Sequence, residues 1–368
     1  MSNIKEKTDG EKAPMTFLAL DPFVESHIVL PTEEKAPGRD MILWGKENNY
    51  PDYLLDLYNN VPTLRSIING CIDYVVGDEV TTDYNLQGAA MNAKGETIRD
   101  LVKGAAKDYF MVGGFALQVI LGRDLLTISE IYNLDLRMLR SNKENDVFYY
   151  SEEWGKRFAR RDKVLVYPKF VRGNANPASV LFIKNVNTQV YPAPVYAASV
   201  KACEIERSID EYHLNAINNG FSGSYIVNFN NGVPAAAIQE EIERNLNEKF
   251  AGQKNAGRIM CSWNPSKDAQ TTIQKMEIQD YGEKYQTLSD HSRQQIFTAF
   301  RANGNLFGIP QATGFSQEEY DAAFRLFNRT QILPVQDLIV DAFDKIFGVK
   351  GSVKIKPFSM GETSNIVE

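Results

Sequence analysis

The segment from Glu277 to Phe347 constrains the fold of this chain more than any other stretch of the sequence. Apolar residues at helical spacing predict one long helix over 277–302 and a second over 317–347. The residues between them, 303–316, include three glycines and one proline, which is typical of a loop. The rest of the chain is therefore expected to support two long helices and the loop that joins them.

Local signals predict where the second helix begins, bends and ends. Ser316 and Glu319 have the S-x-x-E spacing of a capping box, which predicts a helix that starts just after Ser316. Pro334 lacks a backbone donor and its ring clashes with the preceding turn, so we expect the helix to kink there. Gly348 is a suitable C-cap residue. The segment has the form of a structural element, two helices joined by a loop, and contains no recognisable catalytic centre.

The overall composition indicates a globular protein. The 368 residues are 43% apolar and 24% charged, which allows a sizeable core in one large domain or in two or three smaller ones. The net charge of −7 gives no support for a basic, sequence-specific reader of duplex DNA. No apolar run approaches the roughly 18 residues that span a bilayer, and the polar first residues do not form a secretory signal. We therefore expect a soluble protein without a membrane partner.

The cysteines and histidines do not form a recognisable reactive site. Cys71, Cys203 and Cys261 lie far apart and are odd in number, which favours free thiols in a reducing compartment. Cys203 and His213 would lie about 15 Å apart along one helix, too far for a nucleophile–base pair. His213 and His291 are expected to be solvated or to lie at interfaces. The sequence motifs of P-loop ATPases, zinc proteases, serine hydrolases and kinases are missing, so we predict no enzyme activity, no cofactor and no metal.

The first half of the chain predicts a mixed α/β region. Residues 1–40 show no clear period and are expected to form a loose arm. Pro62 begins a helix whose apolar residues recur every three or four positions until Gly77. A second helical region is predicted over 95–121, interrupted by a pair of glycines, and short β-like runs follow over 125–167.

A basic cluster near the middle of the chain allows two interpretations. The cluster is either a solvated turn or subunit-edge patch, or it is a contact for nucleic acid or an acidic partner. Its members are Lys156, Arg157, Arg160, Arg161 and Lys163.

Two later segments look incomplete in a single chain. The helix predicted over 194–220 has apolar residues on more than one face, which indicates packing on two sides, for example against neighbouring subunits. Residues 224–263 predict a strand, a helix and a strand, and this unit is too small to bury a core alone. We expect it to complete its sheet with another chain. The apolar stripe of its helix consists of Ile238, Ile242, Leu246 and Phe250.

The order of these segments, together with several local phrases, resembles the portal proteins of tailed bacteriophages, particularly those of long-tailed phages. The resemblance extends over about residues 41–358. The phrases that carry it, in chain order, are AINNGFSGSYIVNFNNG, FAGQKNAGRIMCSW, SRQQIFTAFRANGNLFGIP and RLFNRTQILPVQDLIVDAF.

The resemblance implies an α+β fold with the parts of a portal subunit. These parts are an N-terminal arm (1–40), a wing (41–192), a first stem helix (193–220), a small βαβ clip (221–276), a second stem helix (277–302), a tunnel loop (303–316), a Pro-kinked wing helix with a terminal strand (317–358) and a tail (359–368). The chain departs from many family members in having only about twenty residues after the kinked helix. The helical crown is therefore expected to be reduced or absent.

The resemblance also implies a function. Portal proteins form rings, usually of twelve subunits, at one capsid vertex, where DNA is packaged and ejected. They have no catalysis of their own. In this chain Asn305, Phe307, Gln311 and Thr313 would line the narrowest part of the channel, and Pro334 would mark the helix kink.

The partners implied are further copies of the chain, double-stranded DNA without sequence specificity, the terminase large subunit, a head–tail adaptor or connector, and the major capsid or scaffold protein. The expected location is the virion, with the host cytoplasm during assembly. Two alternatives stay open from the sequence: an α/β enzyme with an unrecognised site over 95–260, or a scaffold ring that carries no DNA.

Overall fold

The protein was analysed as a computed structural model. The structure describes residues 31–82, 90–154, 160–185, 189–218, 225–230, 232–250, 259–266, 281–308 and 316–359. The helices in these ranges are α1 (Tyr50–Asn60), α2 (Pro62–Val76), α3 (Ile98–Val112), α4 (Val200–Asn218), α5 (Ala236–Phe250), α6 (Tyr281–Ala299), α7 (Gln317–Phe327) and α8 (Leu333–Phe347).

The strands form four small sheets. Their bounds are β1 (Glu33–Lys35), β2 (Ile42–Trp44), β3 (Glu79–Thr82), β4 (Gly114–Leu121), β5 (Ile128–Leu134), β6 (Leu139–Ser141), β7 (Val147–Tyr150), β8 (Leu165–Pro168), β9 (Ala178–Lys184), β10 (Tyr225–Phe229), β11 (Ile259–Trp263) and β12 (Val353–Lys356). The antiparallel sheets have the orders β1-β2-β6-β7-β8, β5-β4-β9 and β12-β3, and β10 pairs with β11 in parallel.

Helix α2 is the centre of the main core. Its predicted start at Pro62 and end at Gly77 are confirmed, and Gly77 adopts a φ of 61° that favours glycine. The helix packs against α1, α3 and α8, and the apolar residues predicted for its buried face are fully enclosed. Those residues are Leu64, Ile67, Ile68, Cys71 and Val75.

The helix predicted over 95–121 is wrong in its second half. Helix α3 ends at Val112, and Gly113 takes the left-handed conformation that closes the helix. Gly114 begins β4, where a methyl group would come within 2.5 Å of the Ile183 carbonyl oxygen of β9. The glycine pair therefore marks a change from helix to strand, because only glycine allows the sharp turn and the close strand approach that follows it.

The β-like runs predicted over 125–167 are confirmed as β5 to β8. The five-stranded sheet encloses Arg140, which is fully buried and donates to the carbonyl oxygens of Arg137 and Leu139, each at 2.8 Å. The Trp44 and Trp154 rings lie on either side of its guanidinium at 5.9 and 5.3 Å. Burial lowers the pKa of Arg140 to about 10.

Part of the segment predicted as a loose arm is structured. Strand β1 lies within the predicted arm and pairs with β2, while residues 1–30 lie outside the described residues. In the described part of the chain, no helix has both the length and the apolar character needed to cross a bilayer. The basic cluster is described at Arg160, Arg161 and Lys163, and Arg160 pairs with Asp162 at 3.0 Å.

Candidate functional site

Helices α4 and α6 pack against each other, and one end of the pair is embedded in the main core. Val200 and Cys203 at the start of α4 are buried, as are Ile296 and Phe300 near the end of α6. Phe300 stacks on Tyr196 with a ring-centroid distance of 5.5 Å. The base of the pair is therefore fixed by the main core, although α4 begins at Val200, several residues after the predicted start.

A carboxylate on α4 ties this base to the start of α2. Glu206 is buried, and its Oε1 atom accepts from the Thr63 hydroxyl at 2.7 Å and from the Thr63 amide at 3.3 Å. Helix α2 has no side-chain cap of its own at Val61. A negative charge at a helix N-terminus is favourable because it meets unpaired amide groups and the positive end of the helix dipole. The contact joins residues 143 positions apart, and no local pattern in the sequence predicts it.

Farther along, the pair presents apolar and aromatic groups to solvent. Tyr212 of α4 stacks on Tyr285 of α6 at 4.9 Å, and His213 lies edge-on to Tyr285 at 5.7 Å. Leu214 on α4 is 59% exposed, and Leu288 on α6 is 42% exposed. The broad apolar distribution predicted for α4 is thus divided between a face that α6 covers and a face that no other described residue of the chain covers.

The βαβ unit of β10, α5 and β11 has the predicted order. The Phe229 and Trp263 rings at the ends of the two strands stack at 4.3 Å. The Asn264 amide donates to the Phe229 carbonyl at 2.8 Å, and the Gly232 amide donates to the Asn264 carbonyl at 3.2 Å. Ile238, the first residue of the predicted stripe on α5, is 50% exposed. These hydrogen bonds and the stacked rings hold the two strands of the unit together, but α5 retains exposed apolar surface.

The loop predicted over 303–316 begins with an ordered turn. Residues Gly304–Phe307 form a 3-10 turn in which the Asn305 amide donates to the Asn303 side chain at 3.0 Å. Gly308 closes the turn at a φ of 75°. Asn305 is half-buried at this turn, whereas Gln311 and Thr313 lie outside the described residues. That these residues line a channel stays a prediction.

Phe307 packs inward against α2 and the end of α7. Its ring lies 6.0 Å from the Tyr74 ring and 5.6 Å from the Phe327 ring. A methyl group at Gly70 would come within 2.7 Å of two Phe307 ring carbons, so a glycine is needed there in the middle of α2. An internal helix glycine is otherwise unfavourable, so Gly70 is a signal from which a close contact on this face could have been predicted.

The predicted capping box at Ser316 is confirmed, because its hydroxyl accepts from the Glu319 amide and the Glu319 carboxylate accepts from the Ser316 amide. The helix changes type just before Pro334. A π-type segment, Asn328–Ile332, separates α7 from α8, and Pro334 lies in the first turn of α8. The wider π turn makes room for the proline ring, which would clash with the carbonyl four residues earlier in an α-helix.

Neither Cys71 nor Cys203 has the surroundings of a reactive thiol. Cys71 and Cys203 are buried, and burial raises the pKa of both thiols, that of Cys203 to about 12. Thiols with raised pKa values are poor nucleophiles at neutral pH. Within the described ranges, no group of three His, Cys, Asp or Glu side chains is arranged to hold a metal ion.

Comparison with known proteins gives matches among solved structures. No protein-family model and no curated protein matches this chain. A chain in the virion of the native gene transfer agent particle aligns with a TM-score of 0.54 at 16% identity, over 89% of this chain and 86% of that one. A chain in the neck of the native particle, solved with C12 symmetry, aligns with a TM-score of 0.53 at 17% identity, over 83% and 84%.

The fold is similar to that of a gene transfer agent neck chain. The similarity extends over most of both chains, so it includes the helices and sheets described above rather than one local motif. A phage portal protein of the HK97 family from Corynebacterium diphtheriae also aligns, with a TM-score of 0.49 at 9% identity, over 82% and 93%, a score too low to carry an argument. At 16% and 17% identity, the similarity to the gene transfer agent chains shows a shared fold and no more.

Proposed function

We propose that this chain is the subunit of a portal ring, which lies at one capsid vertex and forms the channel for double-stranded DNA. The observation that carries the proposal is the apolar surface on the parts that would face neighbouring subunits: Leu214 and Leu288 on the α4–α6 pair, and Ile238 on α5. The fold similarity to a neck chain solved with C12 symmetry supports the same proposal.

A ring explains why these surfaces stay uncovered in one chain. In a closed head-to-tail ring, each subunit uses one face to meet a different face of the next subunit. The α4–α6 pair would then pack between two neighbours as the stem, and β10 and β11 would extend their sheet with strands of the adjacent clip. We propose twelve subunits, in line with the symmetry of the similar neck.

The loop over 303–316 would face the DNA. It contains no charged residue, so its contacts to DNA would be steric or weakly polar and would come from Asn305, Gln311 and Thr313. Contacts to the DNA backbone position a duplex without reading its sequence. Because salt dependence comes from phosphate contacts of Lys and Arg, DNA retention at this loop should depend little on ionic strength.

The proposed partners follow from this role. The clip would dock the terminase large subunit during packaging and a head–tail adaptor afterwards, and the wing would contact the major capsid or scaffold protein. The protein would act without catalysis or cofactor. It would be assembled in the host cytoplasm and retained in the virion.

Electron microscopy of the purified protein tests the proposal. We expect closed rings with a central opening, formed either by the chain alone or after co-expression with its capsid and scaffold proteins. Monomers or dimers under both conditions would contradict a portal function.

Removing residues 309–313 tests the role of the loop. The deletion removes Gln311 and Thr313 but spares Leu306 and Phe307, which anchor the first turn in the core. We expect normal rings and capsids that retain less DNA. Capsids filled to the wild-type level would contradict a DNA-facing loop, and rings found in particles without DNA would favour a scaffold ring.

A further inference from the structure

Tyr74 contacts three segments that lie far from α2 in the sequence. It lies on the buried face of α2, and its ring makes edge-type contacts with four phenylalanine rings. The centroid distances are 6.0 Å to Phe307, 5.4 Å to Phe324, 6.1 Å to Phe327 and 5.2 Å to Phe358. One of these rings belongs to the loop turn, two belong to α7, and one belongs to the C-terminal segment that follows β12.

The Tyr74 hydroxyl also holds the backbone of the loop turn. It donates to the Leu306 carbonyl oxygen at 2.9 Å, and both residues are buried. A buried carbonyl that loses its donor is costly, because no water replaces the lost bond. The hydroxyl therefore selects the conformation of the turn, whereas the aromatic ring supplies general packing.

The C-terminal segment closes over the same place. The Asp78 amide, just after α2, donates to the Lys356 carbonyl at 3.1 Å, and the Ser359 amide donates to the Asp78 carboxylate at 3.3 Å. Phe358 lies between these contacts and packs on both Tyr74 and Phe324. On the other side of α2, the Gln336 side chain donates to the Val75 carbonyl at 2.9 Å and fixes the end of α2 to α8.

We propose that Tyr74 is the positioning residue of the loop turn at 303–308, and that the C-terminal segment 353–359 holds Tyr74 in place through Phe358. The loop turn is thereby coupled to the C-terminal segment through Tyr74. The structural part of this inference stands on the contacts of one chain. Its consequence for DNA rests on the proposed function.

Hydrogen–deuterium exchange of the purified full chain tests the structural part. Tyr74→Phe removes the hydroxyl and keeps the ring, so we expect exchange in a peptide covering 301–308 to rise about fivefold, the factor for one typical hydrogen bond. A peptide from α3 should exchange as in the wild type. Phe358→Ala should raise exchange in the same loop peptide and in β12.

A second tyrosine provides the matched control. The Tyr196 hydroxyl is also buried and donates to a backbone carbonyl, that of Met111, at 2.9 Å. Tyr196→Phe therefore removes the same type of bond away from Tyr74 and should leave loop exchange unchanged. Wild-type exchange of the loop in Tyr74→Phe, or an increase spread equally over the whole chain, would overturn the inference.

The consequence for DNA is measured separately. In assembled particles, Tyr74→Phe should allow normal rings and reduce DNA retention in the same direction as the 309–313 deletion. Faster loop exchange with unchanged retention would overturn the functional part alone. Failure of the wild-type chain to form rings would contradict the proposed function and leave the exchange result standing.

Discussion

Helices α5 and α8 are each fifteen residues long and each carry an apolar stripe, but their surroundings differ. On α8, Ile339, Phe343 and Ile346 are completely buried under α2 and α3. On α5, Ile238 is half exposed, and the helix packs mainly on β11 of its own small unit. An apolar stripe thus predicts that a helix will form, whereas the rest of the structure decides whether the same chain or another chain covers it.

The largest expected effect on stability is at the buried apolar stripe of α8. Phe343→Ala should destabilise the chain by about 3–5 kcal/mol, because it removes a fully enclosed ring and leaves a cavity beside Phe347. Urea unfolding of the unassembled chain measures the change. A loss below about 1 kcal/mol would mean that α8 is not the rigid core helix described here.

An intermediate effect on stability is expected at Asp108, in the core around α3. Asp108 is buried, and burial, with the nearby Asp135 charge, raises the pKa of its carboxyl well above the ordinary value of 3.8. Between 3.8 and the folded-state pKa, the folded chain holds a proton that the unfolded chain has lost, so stability falls as pH rises. Asp108→Asn removes this dependence and should raise the Tm at pH 7.5 by a few degrees, with a gain that shrinks towards pH 4.

Asp100 on the same helix is the matched control with the opposite sign. Hydrogen bonds from the Thr97 amide and hydroxyl lower the pKa of the Asp100 carboxyl, so its contribution is present above pH 3.8 and is lost on acidification. Asp100→Asn should therefore lower the Tm slightly at neutral pH and have less effect in acid. Parallel behaviour of the two variants in a series of thermal melts would contradict the raised pKa of the Asp108 carboxyl.

The smallest effect on the stability of the single chain is expected at the exposed apolar stripe of α5. Ile238→Ser should change the stability of the unassembled chain by less than about 0.5 kcal/mol, because half of the side chain already contacts water. The same substitution should reduce the yield of rings if a neighbouring subunit covers α5. Mass photometry measures that yield, and wild-type assembly would show that Ile238 lies outside the contact.

Several elements could be read from the sequence because their signals are local. Pro62 and Gly77 predicted the bounds of α2, Ser316 and Glu319 predicted the start of α7, and Gly348 predicted the end of α8. Each signal acts within one or two helical turns through backbone donors, acceptors and φ angles.

The errors arose where a distant contact decided the outcome. Residues 114–121 were predicted as helix but pair with β5, the next strand along the chain, and with β9, which lies more than fifty residues later. The contact of the Phe307 ring with Gly70, more than two hundred residues earlier, was likewise not foreseen, while the channel lining implied for Phe307 by the resemblance stays a prediction. The spacing of side chains along one segment does not indicate which distant residues will contact that segment.

The sequence by itself determined the helix ends at prolines, glycines and capping residues, because these depend on local backbone chemistry. Only the tertiary structure decided that Glu206 caps α2, that Tyr74 joins the loop to the C-terminal segment, and which apolar faces stay open. Those outcomes depend on which surfaces meet when the chain folds, and burial gives a contact its energy only after distant segments have come together.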